Sequence, residues 1–148
     1  MGAAADTSGN IRITGETDSD DFPLSHALYT QKAAYQATCF VAKLDPNLNI
    51  VFSSFLNGQN PSTPAAIALD AGGNAYIAGT ADTTFPQTGA LFGPTATSGV
   101  NHTSIAKLAS DGSKAIYSRL LGGNAGGCTR AGCNGPLTDA DAFSKDGK

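Results

Sequence analysis

The stretch Ile67-Ala-Leu-Asp70-Ala-Gly-Gly73-Asn74-Ala-Tyr-Ile77-Ala-Gly79 decides how the chain folds, because it recurs. Near the start stands Ala3-Ala-Ala-Asp6-Thr-Ser-Gly9-Asn10-Ile-Arg-Ile13-Thr-Gly15, and the sequence closes on a broken copy, Ala142-Phe143-Ser144-Lys145-Asp146-Gly147-Lys148. A short apolar run, a tight turn and a second apolar run form the local pattern of a β-hairpin. A short Asp side chain accepts hydrogen bonds from the backbone two residues on. Gly9 and Gly73 tolerate φ > 0, as Asn10 and Asn74 do at some cost. Asp6, Gly9, Asn10, Asp70, Gly73 and Asn74 are therefore read as structural turn residues. In an extended chain Ile11, Ile13 and Gly15 lie on one face and Arg12 and Thr14 on the other. In the second copy Ala75, Ile77 and Gly79 oppose Tyr76 and Ala78. Both faces there are apolar, so the expectation is a strand buried between two layers.

Outward from the turns the correspondence continues. Phe22-Pro23 returns as Phe85-Pro86 and Ala27-Leu28 as Ala90-Leu91, each 63 residues later. Phe40-Val-Ala42-Lys43-Leu44 returns as Ser104-Ile-Ala106-Lys107-Leu108 after 64, and Phe52-Ser53-Ser-Phe55-Leu56-Asn57-Gly58 as Tyr117-Ser118-Arg-Leu120-Leu121-Gly122-Gly123 after 65. The one-residue slips fall in polar connections, so the chain is an internal repeat of about 64 residues. Each repeat holds four strand candidates. In the second they are Ala65–Asp70, Asn74–Gly79, Thr103–Leu108 and Ala115–Leu121; in the first the last two are Thr38–Leu44 and Ile50–Leu56, turned by Asp45-Pro46-Asn47. Four antiparallel strands per repeat is the pattern of a β-propeller blade. The expected fold is all-β: about two four-stranded blades, 3–66 and 67–141, with the start of a third at 142–148, as a segment of a larger ring. No window shows convincing helical spacing; the best candidate, Ser25–Ala37, amounts to a turn or two at most.

The linked motifs Ala68-x-Asp70-x-x-Gly73-Asn74-x-Tyr76-x-x-Gly79-Thr80, Phe85-Pro86, Ile105-Ala106-Lys107-Leu108 and Tyr117-Ser118-x-Leu120-Leu121-Gly122-Gly123 resemble the bacterial seven-bladed β-propeller (SBBP) repeat family. The resemblance spans two copies and a stub. Arg12 stands where Tyr76 does, Asn57-Gly58 replaces the double glycine, and the stub has Ser144 and Lys148 for Asp and Asn. The resemblance implies a secreted or surface-anchored bacterial protein with no general catalytic motif. The expected role is a scaffold or binding module for protein or carbohydrate, acting through loops at one rim. The rival expectation is a fragment of a propeller-fold hydrolase or lyase whose catalytic residues lie in missing blades.

Composition agrees with an all-β chain: 148 residues, 14% charged, 18 glycines. A net charge of −3 and a pI near 5.1 argue against nucleic acid, which needs a basic face to replace counterions. No stretch approaches the ~18 apolar residues of a membrane span. The first residues lack the basic and apolar regions of a secretory signal. The sequence stops inside a hairpin turn, so the expectation is a segment of a longer exported chain. Two blades cannot close a ring of ~4 to 8, so further blades or self-association are expected to cover the inner faces.

Cys128 and Cys133 fall in an insertion: Gly123 to Ala142 spans 19 residues against 10 from Gly58 to Ala68. A disulfide closing that loop fits an oxidising compartment. Free thiols are the alternative, and zinc would need two further ligands that no spacing supplies. Cys39, on an apolar strand, reads as a buried thiol. Asp18, Asp20 and Asp21 are weak calcium candidates, set against a solvated loop that the second repeat does not reproduce. No other cofactor is expected. His26 and His102 lie in the long connections without the surroundings of a catalytic motif. Asn101-His102-Thr103 matches a glycosylation sequon. Tyr29, Tyr35, Phe92 and Phe55 could present a sugar-stacking face, with core packing as the alternative.

Overall fold

The computed structural model describes residues 1–33, 37–88 and 101–121. Among them are eight strands and no helix: β1 (Gly2–Ala5), β2 (Ile11–Thr17), β3 (Thr38–Leu44), β4 (Ile50–Phe55), β5 (Thr63–Leu69), β6 (Ala75–Ala81), β7 (His102–Leu108) and β8 (Ala115–Leu121). They form two antiparallel sheets in chain order, β1-β2-β3-β4 and β5-β6-β7-β8.

The hairpins are set by one local device. Asp6 Oδ1 accepts from the backbone N–H of Ser8 and Asn10, both at 2.9 Å, while Asn10 Nδ2 donates to Oδ2 at 2.8 Å. Asp70 does the same with Gly72 and Asn74 at 3.0 and 2.9 Å. Gly9 and Gly73 take φ of 81° and 74°. The β3–β4 turn repeats it with Asp45 accepting from Asn47 and Asn49 at 2.8 Å, and Leu48 in the left-handed position at φ 65°. A leucine there carries a steric cost that glycine avoids.

The registers repeat as well. Ile11 opposes Leu44 as Ala75 opposes Leu108, and each sheet has an irregularity at the same place, Lys43/Leu44 and Lys107/Leu108. Lone bridges join Ser25 to Ser53 and Thr88 to Ser118, and the Ser53 and Ser118 hydroxyls donate to the carbonyls of Pro23 and Pro86.

Two expectations are corrected. The helical candidate Ser25–Ala37 is not helical over its described residues, 25–33 and 37. Its backbone groups find partners on β4: Ser25 and Ser53 exchange N–H···O bonds at 3.2 and 2.8 Å, Tyr29 N donates to Ser54 Oγ at 2.9 Å, and Phe55 N donates to Tyr29 O at 3.1 Å. The segment lines the free edge of β4, which an i→i−4 ladder would have left open. Nor is β6 covered on both sides among the described residues. Ala75, Ile77 and Gly79 are buried, but Tyr76 and Ala78 are half-buried.

The sheets pack face to face, with β5 over β1 and β2. Cys39, Val41, Phe52 and Leu56 from the first meet Ile77, Ala81, Ala106, Leu108 and Leu120 from the second, with Phe85 wedged among them. Burial of the Val, Leu, Ile and Phe side chains among them is worth about 1.5–3 kcal/mol each. The side of the first sheet that faces the second is the one carrying Arg12 and Thr14, both fully buried. On its opposite side Phe22 folds back over Phe40 and Phe55, with ring centroids 4.7 and 5.6 Å apart. Among the described residues no helix is long and apolar enough to cross a membrane.

Candidate binding cleft

A cleft of about 620 Å³ opens where the first sheet's long connection, 28–32, meets the segment 57–59 and Thr84. Three stretches far apart in sequence build it. Tyr29 is held by its backbone bonds to β4, and its phenol is pushed above the ordinary tyrosine range by burial. The segment after β4 is clipped to the second repeat: Thr84 Oγ1 accepts from the N–H of Gln59 at 2.9 Å and of Asn60 at 3.3 Å, and donates to Asp82 Oδ1 at 2.6 Å. Gly58 presses against this clip. A Cβ there would stand 2.1 Å from the Thr84 carbonyl oxygen, so only glycine fits.

Asn57 lines the cleft and is 4% exposed. Its Nδ2 donates to Gly58 O at 2.7 Å, while its Oδ1 is buried with no partner. An unpaired buried acceptor costs about 1–3 kcal/mol. Gln31, Gln59 and Thr30 add amides and a hydroxyl to the wall. The Lys32 ammonium is already engaged, by Asp20 Oδ1 at 2.6 Å and the Asp18 carbonyl. The lining is therefore mixed: Leu28 and the Tyr29 ring supply apolar surface, and amides and hydroxyls stand among them, with the one cation already paired.

The residues singled out from the sequence do not converge on this cleft, apart from Tyr29. Asp20 holds Lys32, and Asp21 Oδ1 accepts from Ser19 Oγ at 2.5 Å. Among the described residues no three of His, Cys, Asp and Glu group so as to hold a metal ion. His26 is exposed at φ 47°, with Nδ1 3.1 Å from Ser25 Oγ, whereas His102 is buried opposite Ala81 at the start of β7. Phe55 lies in the interior beneath Phe22. Cys39 is buried among apolar side chains. Cys128, Cys133, Tyr35, Phe92 and the third copy lie outside the described residues. Asn57 carried no signal in the sequence beyond standing where the second repeat has glycine.

A second set of charged side chains lies across the sheets. Arg12 Nη2 donates to the carbonyls of Gly73 at 2.9 Å and Ser110 at 2.7 Å, and Lys43 Nζ donates to Ser110 at 3.2 Å. Burial pulls the Arg12 pKa down, while Asp6 and Asp111 oppose that shift. In the second sheet Lys107 Nζ bonds Tyr76 Oη at 2.7 Å and Asp70 Oδ2 at 2.9 Å. Compared with known families and with curated proteins, the chain matches no family model and no curated sequence.

Proposed function

We propose that the chain is a non-catalytic, repeat-built binding scaffold: two blades of an SBBP-type β-propeller from an exported bacterial protein, with the cleft as its carbohydrate-binding site. The observation that carries this reading is the cleft's wall, which Tyr29 and Asn57 line together with three further amide and hydroxyl side chains and Thr84. Sugars present apolar ring faces that stack on aromatics, and hydroxyls that both donate and accept. A wall that mixes apolar surface and one aromatic ring with amides and hydroxyls, its single cation already paired with Asp20, suits them better than it suits a free anion or cation. The matching registers, bulges and connections of the two sheets support the blade reading.

A glycan array followed by calorimetry on the full chain tests the function. A glycan that binds the chain, with affinity lowered at least ten-fold by Tyr29→Ala and by Asn57→Leu in folded variants, is the expected result. Absence of binding across the array, or binding unaffected by both substitutions, overturns it.

A further inference from the structure

The contact between the two sheets joins unlike faces. The face of the first sheet bearing Arg12, Thr14, Lys43 and Phe52 meets the face of the second bearing Ile67, Ile77, Ala106 and Leu108. By the 64-residue repeat those last four correspond to Ala3, Ile13, Ala42 and Leu44, on the far side of the first sheet. The counterparts of the first four are Tyr76, Ala78, Lys107 and Tyr117, on the far side of the second. Among the described residues a head-to-tail contact of this kind leaves one face of each type without a sheet against it, and it repeats into a ring or a filament. Ala3 is exposed and Ile13 half-buried on one such face, and Tyr76, Lys107 and Tyr117 are half-buried on the other.

We propose that a second copy of this chain docks the Ala3–Ile13 face of its first sheet onto the Tyr76–Lys107–Tyr117 face, through the contact that already joins the two sheets. The receiving face is shaped for it. A shallow apolar groove of about 150 Å³ lies there, walled by Ala66, Ala68, Tyr76, Ala78 and Ile105. Its repeat counterpart on the first sheet is Gly2, Ala4, Arg12, Thr14 and Val41, and Ile67 covers it. Ile67 Cγ2 sits 3.2 Å from where a Cβ on Gly2 would stand. The counterpart of Ile67 is Ala3, so Ala3 of the second copy enters the groove.

The polar groups correspond as well. Arg12 and Lys43 donate to the turn carbonyls of Gly73 and Ser110. In the new contact Tyr76 and Lys107 face Gly9 and Pro46, the equivalent turn residues. Lys107 already donates to Tyr76 Oη. The phenol proton is thus free to point outward to a carbonyl.

Sedimentation of the full chain from micromolar to millimolar concentration, with Ala68→Arg blocking one face and Ala3→Arg the other, tests this. Both residues are exposed on outer strands, so folding checked by circular dichroism is expected to survive. The wild type associates with rising concentration, each variant alone is monomeric, and the two variants mixed form a one-to-one dimer through their intact faces. A wild type monomeric at millimolar concentration, a variant that still assembles, or a mixture that stays monomeric overturns the proposal. Neither residue lines the cleft, so glycan binding by the monomeric variants reports on the ligand reading separately.

Discussion

Arg12 Nη2 lies 2.9 Å from the carbonyl oxygen of Gly73, so one guanidinium on β2 holds a turn of the other sheet, 61 residues away. The same nitrogen reaches Ser110 O at 2.7 Å, and the guanidinium carbon stands 5.3 Å from the centroid of the Phe52 ring. Nε and Nη1 are buried without partners. The clasp is thus half satisfied: two charge-assisted bonds and a cation–π contact are set against the cost of taking the cation out of water.

That balance predicts how substitutions at Arg12 behave. Arg12→Ala removes the bonds and leaves a void, and is expected to cost about 2–4 kcal/mol. Arg12→Met fills the volume and relieves the desolvated charge, so it costs under about 1.5 kcal/mol. Urea unfolding of both variants measures the difference. Equal losses would mean that the hydrogen bonds, not the packing, dominate.

Gly112 meets Phe52 across the same interface. A Cβ there would lie 2.5–2.7 Å from three ring atoms, at a φ of 76°. Gly9 has a similar φ of 81°, but its nearest neighbour would be 3.5 Å away. Gly9→Ala is therefore expected to cost about 1 kcal/mol, from backbone strain alone. Gly112→Ala adds overpacking and costs about 2–4 kcal/mol. Chemical denaturation of the two variants side by side checks the gap, which disappears if the sheets do not meet at this point.

Acid is expected to weaken the fold. Asp70 is held well below its ordinary 3.8, first by Asn74 and then by Lys107, and Asp6 and Asp45 are lowered by Asn10 and Asn49. Above about pH 5 these carboxylates contribute fully. As pH falls below 3.8 the unfolded chain takes up protons that the folded chain refuses, so their contribution is lost on descending through the folded values. The urea midpoint should drop between pH 5 and 2.5, and drop less in Asp70→Asn. Parallel pH curves for the two proteins would contradict the assignment.

Cys39 should resist thiol reagents in the folded state. It is 3% exposed, and burial pushes its pKa up to about 12, so almost no thiolate forms near neutrality. In a Cys128→Ser/Cys133→Ser background, labelling is expected only once denaturant unfolds the chain. Rapid labelling under native conditions would place this residue at the surface.

The strands and the Asp-based turns were legible because their causes are local: alternating side chains, and an Asp whose acceptors lie within four residues of their donors. The long connection was not legible as an edge-lining segment, because Ser25 and Tyr29 find their backbone partners about 25 residues away on β4. Arg12 read as a departure from the Tyr76 pattern, yet it joins the sheets. Nothing near it in the chain names Gly73 or Ser110 as its acceptors. Tyr29 could be picked out as a possible stacking residue, but the cleft needs Asn57 and Thr84 beside it, and only the clip at Gly58 brings them there.

Two equivalent sheets stack with the Arg12–Lys43–Phe52 ladder of the first against the turns of the second. A nuclear Overhauser spectrum of the labelled full chain tests this stacking most directly, through cross-peaks between the Phe52 ring protons and the Gly112 Hα protons. Strong cross-peaks are the expected result. A spectrum in which both residues are assigned, both hairpins are intact and no such cross-peak exists would contradict the stacking.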